Sequence, residues 1–201
     1  MNKLFKLSAF WLALIAGSAN AGPIGISGFS GNETVTTFDN LNLPFQNTGA
    51  LQLDGNTFAT DNNQFRYLKP GDFFQDCTSE CIANNAELGW LEVRLGSPTN
   101  RAGALVGGRG YAGFVDFFDT ADNLLGSINF GGNPAIVFVG WEDLTVGIGR
   151  VRFTDTRPDS RILPLDDFRF EATNAVPLPG TLPLAGLALL GMRFVRRRQV
   201  A

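Results

Sequence analysis

Three residues in the stretch LGWLEVRL (88–95) have the types and the spacing to hold a sugar. Alternate side chains of an extended strand share a face, so Trp90, Glu92 and Arg94 stand together while Leu91, Val93 and Leu95 point the other way. An indole presents a plate to the C–H face of a pyranose, and the carboxylate and guanidinium supply an acceptor and donors for its hydroxyls. The competing reading is a tryptophan partly covered by a loop, beside an ordinary surface ion pair. A second constellation is acidic. In LPLDDFRF (163–170), Asp166 shares strand parity with Phe168 and Phe170, while Asp167 goes with Arg169. A carboxylate on a core-facing parity needs hydrogen bonds or a cation. TTFDN, near the start of the body, supplies Asp39 from a neighbouring strand. Asp39 and Asp166 are therefore a candidate pair for such a cation. A turn-capping aspartate is the other reading.

The chemistry open to the chain is narrow, because it contains no histidine. Ser-His-Asp and Cys-His nucleophiles, His-ligated zinc and the usual neutral-pH proton shuttle are all excluded. An enzyme built from this chain would have to work with carboxylates, lysine or tyrosine; the form weighed is a glycan enzyme with paired carboxylates, for which Glu92, Glu142 and Asp143 are available. Nothing in the sequence marks two of them as a matched acid and nucleophile, and the expectation is that the protein is not an enzyme.

Charge narrows the partners. Six of the 16 basic residues are Lys3, Lys6, Arg193, Arg196, Arg197 and Arg198; the ten that remain face all 19 acidic residues between the ends, a net of about −9. Such a body repels phosphate backbones, so nucleic acid is not expected as a partner, whereas neutral polysaccharide and cations are compatible. The two cysteines, Cys77 and Cys81 in DCTSEC, are expected to form a small local disulfide in an oxidising compartment. The acidic neighbours Asp76 and Glu80 disfavour a reactive thiolate there.

The elements that must position these residues read as strands. Short runs separated by turn signals recur at TVTTFD (34–39), NTFAT (56–60), QFRYL (64–68), LGWLEVRL (88–95), GFVDFFD (113–119), LLGSINF (124–130), AIVFVGW (135–141), VGIGRVRF (146–153) and LDDFRF (165–170). DGN (54–56), DNN (61–63), ADN (121–123) and GGN (131–133) supply turns in which Gly and Asn tolerate positive φ. About nine such strands predict an all-β fold, a two-sheet, jelly-roll-like antiparallel sandwich over residues 22–175. AIVFVGW is apolar on both faces and is expected at the centre of a sheet. GFVDFFD mixes aromatic and acid on each face, so either a carboxylate is buried with a partner or a phenylalanine is exposed.

Both ends are set apart from this body. Residues 1–21 have the order of a secretory signal peptide: Lys3 and Lys6, an apolar run from Leu7 to Ala16, and the small-x-small site Ala19-Asn20-Ala21. Residues 176–201 hold an apolar stretch from Thr181 to Val195, followed by Arg196, Arg197 and Arg198. With the residues from Val176 onward it reaches about 20 positions, barely enough for a single transmembrane helix. The arginines are then a basic stop that stays in the cytoplasm.

This tail closely resembles the PEP-CTERM sorting tail of Gram-negative bacteria that make exopolysaccharide. The family pattern V-P-E-P-G-T maps onto Val176, Pro177, Leu178, Pro179, Gly180 and Thr181, followed by the helix LPLAGLALLGMRFV and the terminal arginines. Leu178 stands where the family has glutamate. The resemblance implies an exosortase, a membrane-embedded transpeptidase-like enzyme, as processing partner. It also implies tethering to the inner membrane in transit, with the envelope or extracellular space as destination. Two other readings of the tail remain: a permanent anchor, and the sortase signal L-P-x-T-G, against which Leu182 stands where its glycine should be. Separately, the FD…DDF pair loosely resembles the first and last strands of jelly-roll carbohydrate-binding modules, where a structural calcium often bridges the two; the resemblance implies a structural calcium held by Asp39 and Asp166 through carboxylate and carbonyl oxygens. The expected molecule is an exported, non-catalytic structural or polysaccharide-contacting sandwich; a carboxylate glycan enzyme and a protein-binding adhesin-like module are the rivals.

Overall fold

Residues with alternating apolar and polar side chains, punctuated by turns that need positive φ, fold here as antiparallel strands. The computed structural model describes residues 21–70, 77, 79–85, 89–107, 112–131, 136–157 and 163–172. Within them lie thirteen strands: β1 (Ala21–Ile24), β2 (Thr34–Thr36), β3 (Gln46–Thr48), β4 (Leu51–Leu53), β5 (Asn56–Thr60), β6 (Gln64–Leu68), β7 (Cys81–Asn84), β8 (Trp90–Gly107), β9 (Gly113–Phe118), β10 (Leu124–Phe130), β11 (Ile136–Asp143), β12 (Ile148–Asp155) and β13 (Pro164–Ala172). A 3-10 turn, Ile26–Gly28, follows β1. The segments expected to be a signal peptide, a sorting motif, an apolar span and a basic stop lie outside the described residues. Among the described residues no helix is long and apolar enough to cross a membrane.

One long strand organises the whole. The first half of β8 pairs with β12 and β5, and its second half pairs with β11 and β13. Hydrogen bonds therefore join all thirteen strands into one network instead of two separate sheets. β8 nevertheless serves two layers. The order in one is β10-β9-β12-β8-β5-β4; in the other it is β1-β11-β8-β13-β7-β6-β3, with β2 on the second half of β13. The change of layer falls around Gly96-Ser97-Pro98. A Cβ on Gly96 would lie 2.2 Å from the Gly55 carbonyl oxygen, so only glycine lets the strand pass that close to the β4–β5 turn. Sequence reading stopped the strand at Leu95 because Gly and Pro punctuate there; the structure bends it and continues. The short strands β1, β3, β4 and β7 were not foreseen either, since runs of three or four residues carry little periodicity.

The layers meet through aromatic side chains. Phe58 of β5 packs edge-on against Phe168 of β13 at 5.7 Å, and Phe117 of β9 stacks on Trp141 of β11 at 5.7 Å. Leu91 and Val93 from one half of β8 and Ala102, Ala104 and Val106 from the other complete the same fully buried core. In GFVDFFD, Val115 and Phe117 point inward. Buried Asp119 closes the β9–β10 turn by accepting from the backbone of Ala121 and Asn123 and from the Asn123 amide. β11 lies between β8 and the short β1, and its outer face is covered where Phe138 lies across Gly103 and Gly140 and meets Phe29 edge-on at 5.9 Å.

Candidate functional site

The outer face of the first layer carries the residues singled out for sugar binding. Register sets them in rows: Thr154 is flanked by Trp90 and Phe114, Arg152 by Glu92 and Asp116, and Arg150 by Arg94 and Phe118. The parity holds, because Leu91 and Val93 are in the core while Trp90 and Arg94 are not. The expected wetness does not hold at Glu92, which is only 4% exposed. Two arginines of β12 cover it. Arg150 Nη1 donates to Glu92 Oε2 at 2.8 Å, and Arg152 donates to the same oxygen through Nη2 at 2.7 Å and Nε at 3.0 Å. Arg94 Nε lies 3.0 Å from Oε1, so one carboxylate gathers three guanidiniums.

Each of the two β12 arginines also sits on an aromatic ring. Arg150, 6% exposed, lies 3.6 Å above the Phe118 centroid and donates through Nε to Asp122 Oδ1 at 2.7 Å. Arg152 lies 4.8 Å from the Trp90 ring, so the plate expected for a sugar is shared with a guanidinium. Trp90, Phe114, Asp116 and Phe118 remain partly exposed along this face. Beside Arg94, Asp122 and Pro98 a depression of about 240 Å³ opens at the bend of β8. Sequence reasoning missed Arg150, Arg152 and Asp122. The signal was present in VGIGRVRF, where two arginines share one parity, but nothing in the sequence aligned them with Glu92 on another strand.

The acidic pair is brought together by the cysteine loop. Cys77 and Cys81 are joined in a disulfide. Within the loop, Ser79 Oγ donates to Asp166 Oδ2 at 2.5 Å, and the Glu80 N–H donates to Asp39 Oδ1 at 3.1 Å. Asp167 N–H donates to Asp166 Oδ1 at 2.8 Å. The expected parity of β13 is corrected here. A bulge between Asp166 and Arg169, with Asp167 at φ 45°, puts Asp166 opposite Leu105 while Phe168 and Phe170 turn to the core side with Ala102. Asp166 is 2% exposed, and burial pushes its carboxyl above the usual range; its hydrogen bonds lower it, and the Asp167 and Asp39 charges raise it further. Among the described residues, no group of three or more Cys, Asp or Glu is arranged to hold a metal ion.

Glu80 also accepts from the Tyr67 hydroxyl and the Asn40 N–H, and those hydrogen bonds hold it below the ordinary glutamate range. Burial, then the Glu80 contact, pushes the Tyr67 hydroxyl up to about 12. The other carboxylates considered for catalysis are engaged as well. Glu142 is bound by Arg101 Nε at 2.5 Å. Asp143 closes the β11–β12 turn through Thr145 and Val146.

The tail is matched by its sequence alone. Residues 175–199 match the PEP-CTERM protein-sorting motif. The chain carries a PEP-CTERM tail. Proteins with this motif are exported and sorted to the cell surface, and the motif implies processing by an exosortase. No curated protein matches the PEP-CTERM chain in sequence. Among solved structures, its body is similar to the K2 cleaved adhesin domain of Lys-gingipain, at 14% identity and a TM-score of 0.44, over 69% of this chain and 98% of that one. It is also similar to TmCBM61 in complex with beta-1,4-galactotriose, at 15% identity and a TM-score of 0.40, over 60% and 90% of the two chains. A third is the family 11 carbohydrate-binding module of the cellulosomal cellulase Lic26A-Cel5E of Clostridium thermocellum, at 8% identity and a TM-score of 0.33, over 70% and 95%. These likenesses are partial and concern shape only.

Proposed function

We propose that this PEP-CTERM protein is a non-catalytic, jelly-roll-like sandwich that reaches the envelope or extracellular matrix through an exosortase and there contacts polysaccharide. The observation that carries the reading is the outer face of the first layer. Three aromatic rings, Trp90, Phe114 and Phe118, stay partly exposed on it, beside a charged network that cannot rearrange without unpairing buried Glu92 and Arg150. A rigid aromatic and polar surface of this kind suits a neutral glycan, since little ordering is needed on binding. Glu92, Glu142 and Asp143 each have structural partners, which supports a role without catalysis. The test is a glycan array probed with wild type and Trp90→Ala. Binding retained in full by the variant removes this face as the site, and glycan turnover abolished by one carboxylate substitution returns the enzyme reading. Mass spectrometry of the mature protein from its own cells tests the sorting route: a species ending near the 176–181 motif is expected, and an intact tail refutes processing.

A further inference from the structure

The described chain begins and ends at the same end of the sandwich. Ala21 pairs with Asp143 at the close of β11, and Glu171 and Ala172 pair with Arg101 and Thr99. Arg101 ties these segments together through Glu142 at 2.5 Å and Glu171 at 3.0 Å. The sorting motif begins at residue 175, so at most roughly 10 Å of extended chain separates it from Ala172. Roughly 30 Å at full extension reaches Thr181, where the apolar stretch begins.

This same end holds large apolar side chains in solvent. Leu144 and Val146, on the β11–β12 turn, are 40% and 57% exposed. Leu124 is 59% exposed where β10 leaves the β9–β10 turn, which touches Gly149 of β12. The β11–β12 turn is braced from within, because buried Asp143 accepts through Oδ1 from Thr145 N at 2.8 Å, Thr145 Oγ1 at 2.6 Å and Val146 N at 2.9 Å. Gly147, at φ 81°, sets the turn against Pro98. With the Thr145 hydroxyl and the Thr145 and Val146 N–H groups held by Asp143, the turn presents Leu144 and Val146 outward.

We propose that, while the tail is uncleaved, this end of the body rests on the bilayer with Leu144 and Val146 at the lipid headgroup level. The proposal rests on the sorting-tail reading, and the short connection to the tail is what selects lipid as the occupant. Two apolar side chains do not hold a soluble domain on a membrane, but a tether this short gives them a high effective concentration of lipid. A body with a net charge of about −9 is repelled by anionic headgroups, so the matching surface is zwitterionic. Trp90 lies at the far end of β8, beside Thr154, so the proposed polysaccharide face extends away from the bilayer. Cleavage within the motif then frees the body, because only this small apolar contact remains.

The test uses the full chain with its tail intact, reconstituted in nanodiscs of phosphatidylcholine and phosphatidylethanolamine. Leu144→Cys, Val146→Cys and, at the opposite end, Thr156→Cys are each labelled with an environment-sensitive fluorophore without reductant, so that the Cys77–Cys81 disulfide stays closed. Blue-shifted emission and several-fold stronger quenching by spin-labelled lipid are expected at 144 and 146 than at 156. Equal quenching at all three positions overturns the orientation. Quenching at 144 and 146 that needs a co-reconstituted exosortase overturns the lipid contact in favour of a protein partner. A full chain that does not enter the nanodisc overturns the sorting-tail reading and this proposal with it, while glycan binding by the body stands or falls separately.

Discussion

Replacing Glu92 with alanine tests the physics of the outer face. The carboxylate is 4% exposed and receives hydrogen bonds from Arg150 and Arg152 and an ion pair from Arg94. Arg94 is more than half exposed and Arg152 about one-third exposed, so water screens most of what they would lose, and each contributes well under 1 kcal/mol. Arg150 is different, because its side chain is 7% exposed and lies on Phe118. Leaving one partner of a buried pair uncompensated costs about 3–5 kcal/mol. Arg150 keeps the exposed Asp122 at 2.7 Å, which places the expected loss near the lower figure, about 3 kcal/mol. For a domain of this size that is a fall in Tm of roughly 6–12 °C. Thermal unfolding followed by circular dichroism, with guanidinium titration for the free energy, measures it. Glu92→Leu combined with Arg150→Met should recover most of the loss, since removing both charges removes the uncompensated one. A loss below about 1 kcal/mol for Glu92→Ala, or no recovery in the double variant, refutes the view that a buried ion pair holds this face together.

Three further outcomes follow from the same structure. Because burial raises the folded-state carboxyl of Asp166, its neutral form is favoured in the native protein, and stability falls as pH rises from about 4 through the higher folded value. Asp166→Asn should therefore be at least as stable as wild type at pH 8 and lose that advantage near pH 4; a variant clearly less stable at pH 8 contradicts the assignment. Opening the Cys77–Cys81 bond by Cys77→Ser with Cys81→Ser should cost about 2 kcal/mol on the chain-entropy account for so short a loop, measured by guanidinium unfolding, and a cost near zero would show that Ser79 and Glu80 hold the loop without it. At Gly126 an added Cβ would lie 2.1 Å from the Trp141 ring, so Gly126→Ala should shift Trp141 on Phe117, change tryptophan emission and destabilise by about 1–3 kcal/mol; unchanged emission and stability would place that ring elsewhere.

Much of this protein is written locally in the chain. NTFAT, QFRYL and LLGSINF are strands over the expected residues, because alternation and flanking turns act within a few positions. The Cys77–Cys81 disulfide follows from two thiols four residues apart, and the sorting motif is a linear signal that needs no fold to be recognised. What stayed illegible depends on contacts between distant positions. The continuation of β8 through Gly96-Ser97-Pro98 looks like a loop until Gly55 is brought against Gly96. The parity of Asp166 reverses at a bulge set by pairing with β8, which no pattern in LPLDDFRF announces. Glu92 and Arg150 are 58 residues apart, and only the antiparallel register of β8 with β12 makes them partners. Address and strand content belong to the sequence because short-range sterics and hydrophobicity decide them; burial, charge pairing and the nearness of Ala21 and Ala172 at one end of the body belong to the tertiary structure, because they exist only once remote strands have been set side by side.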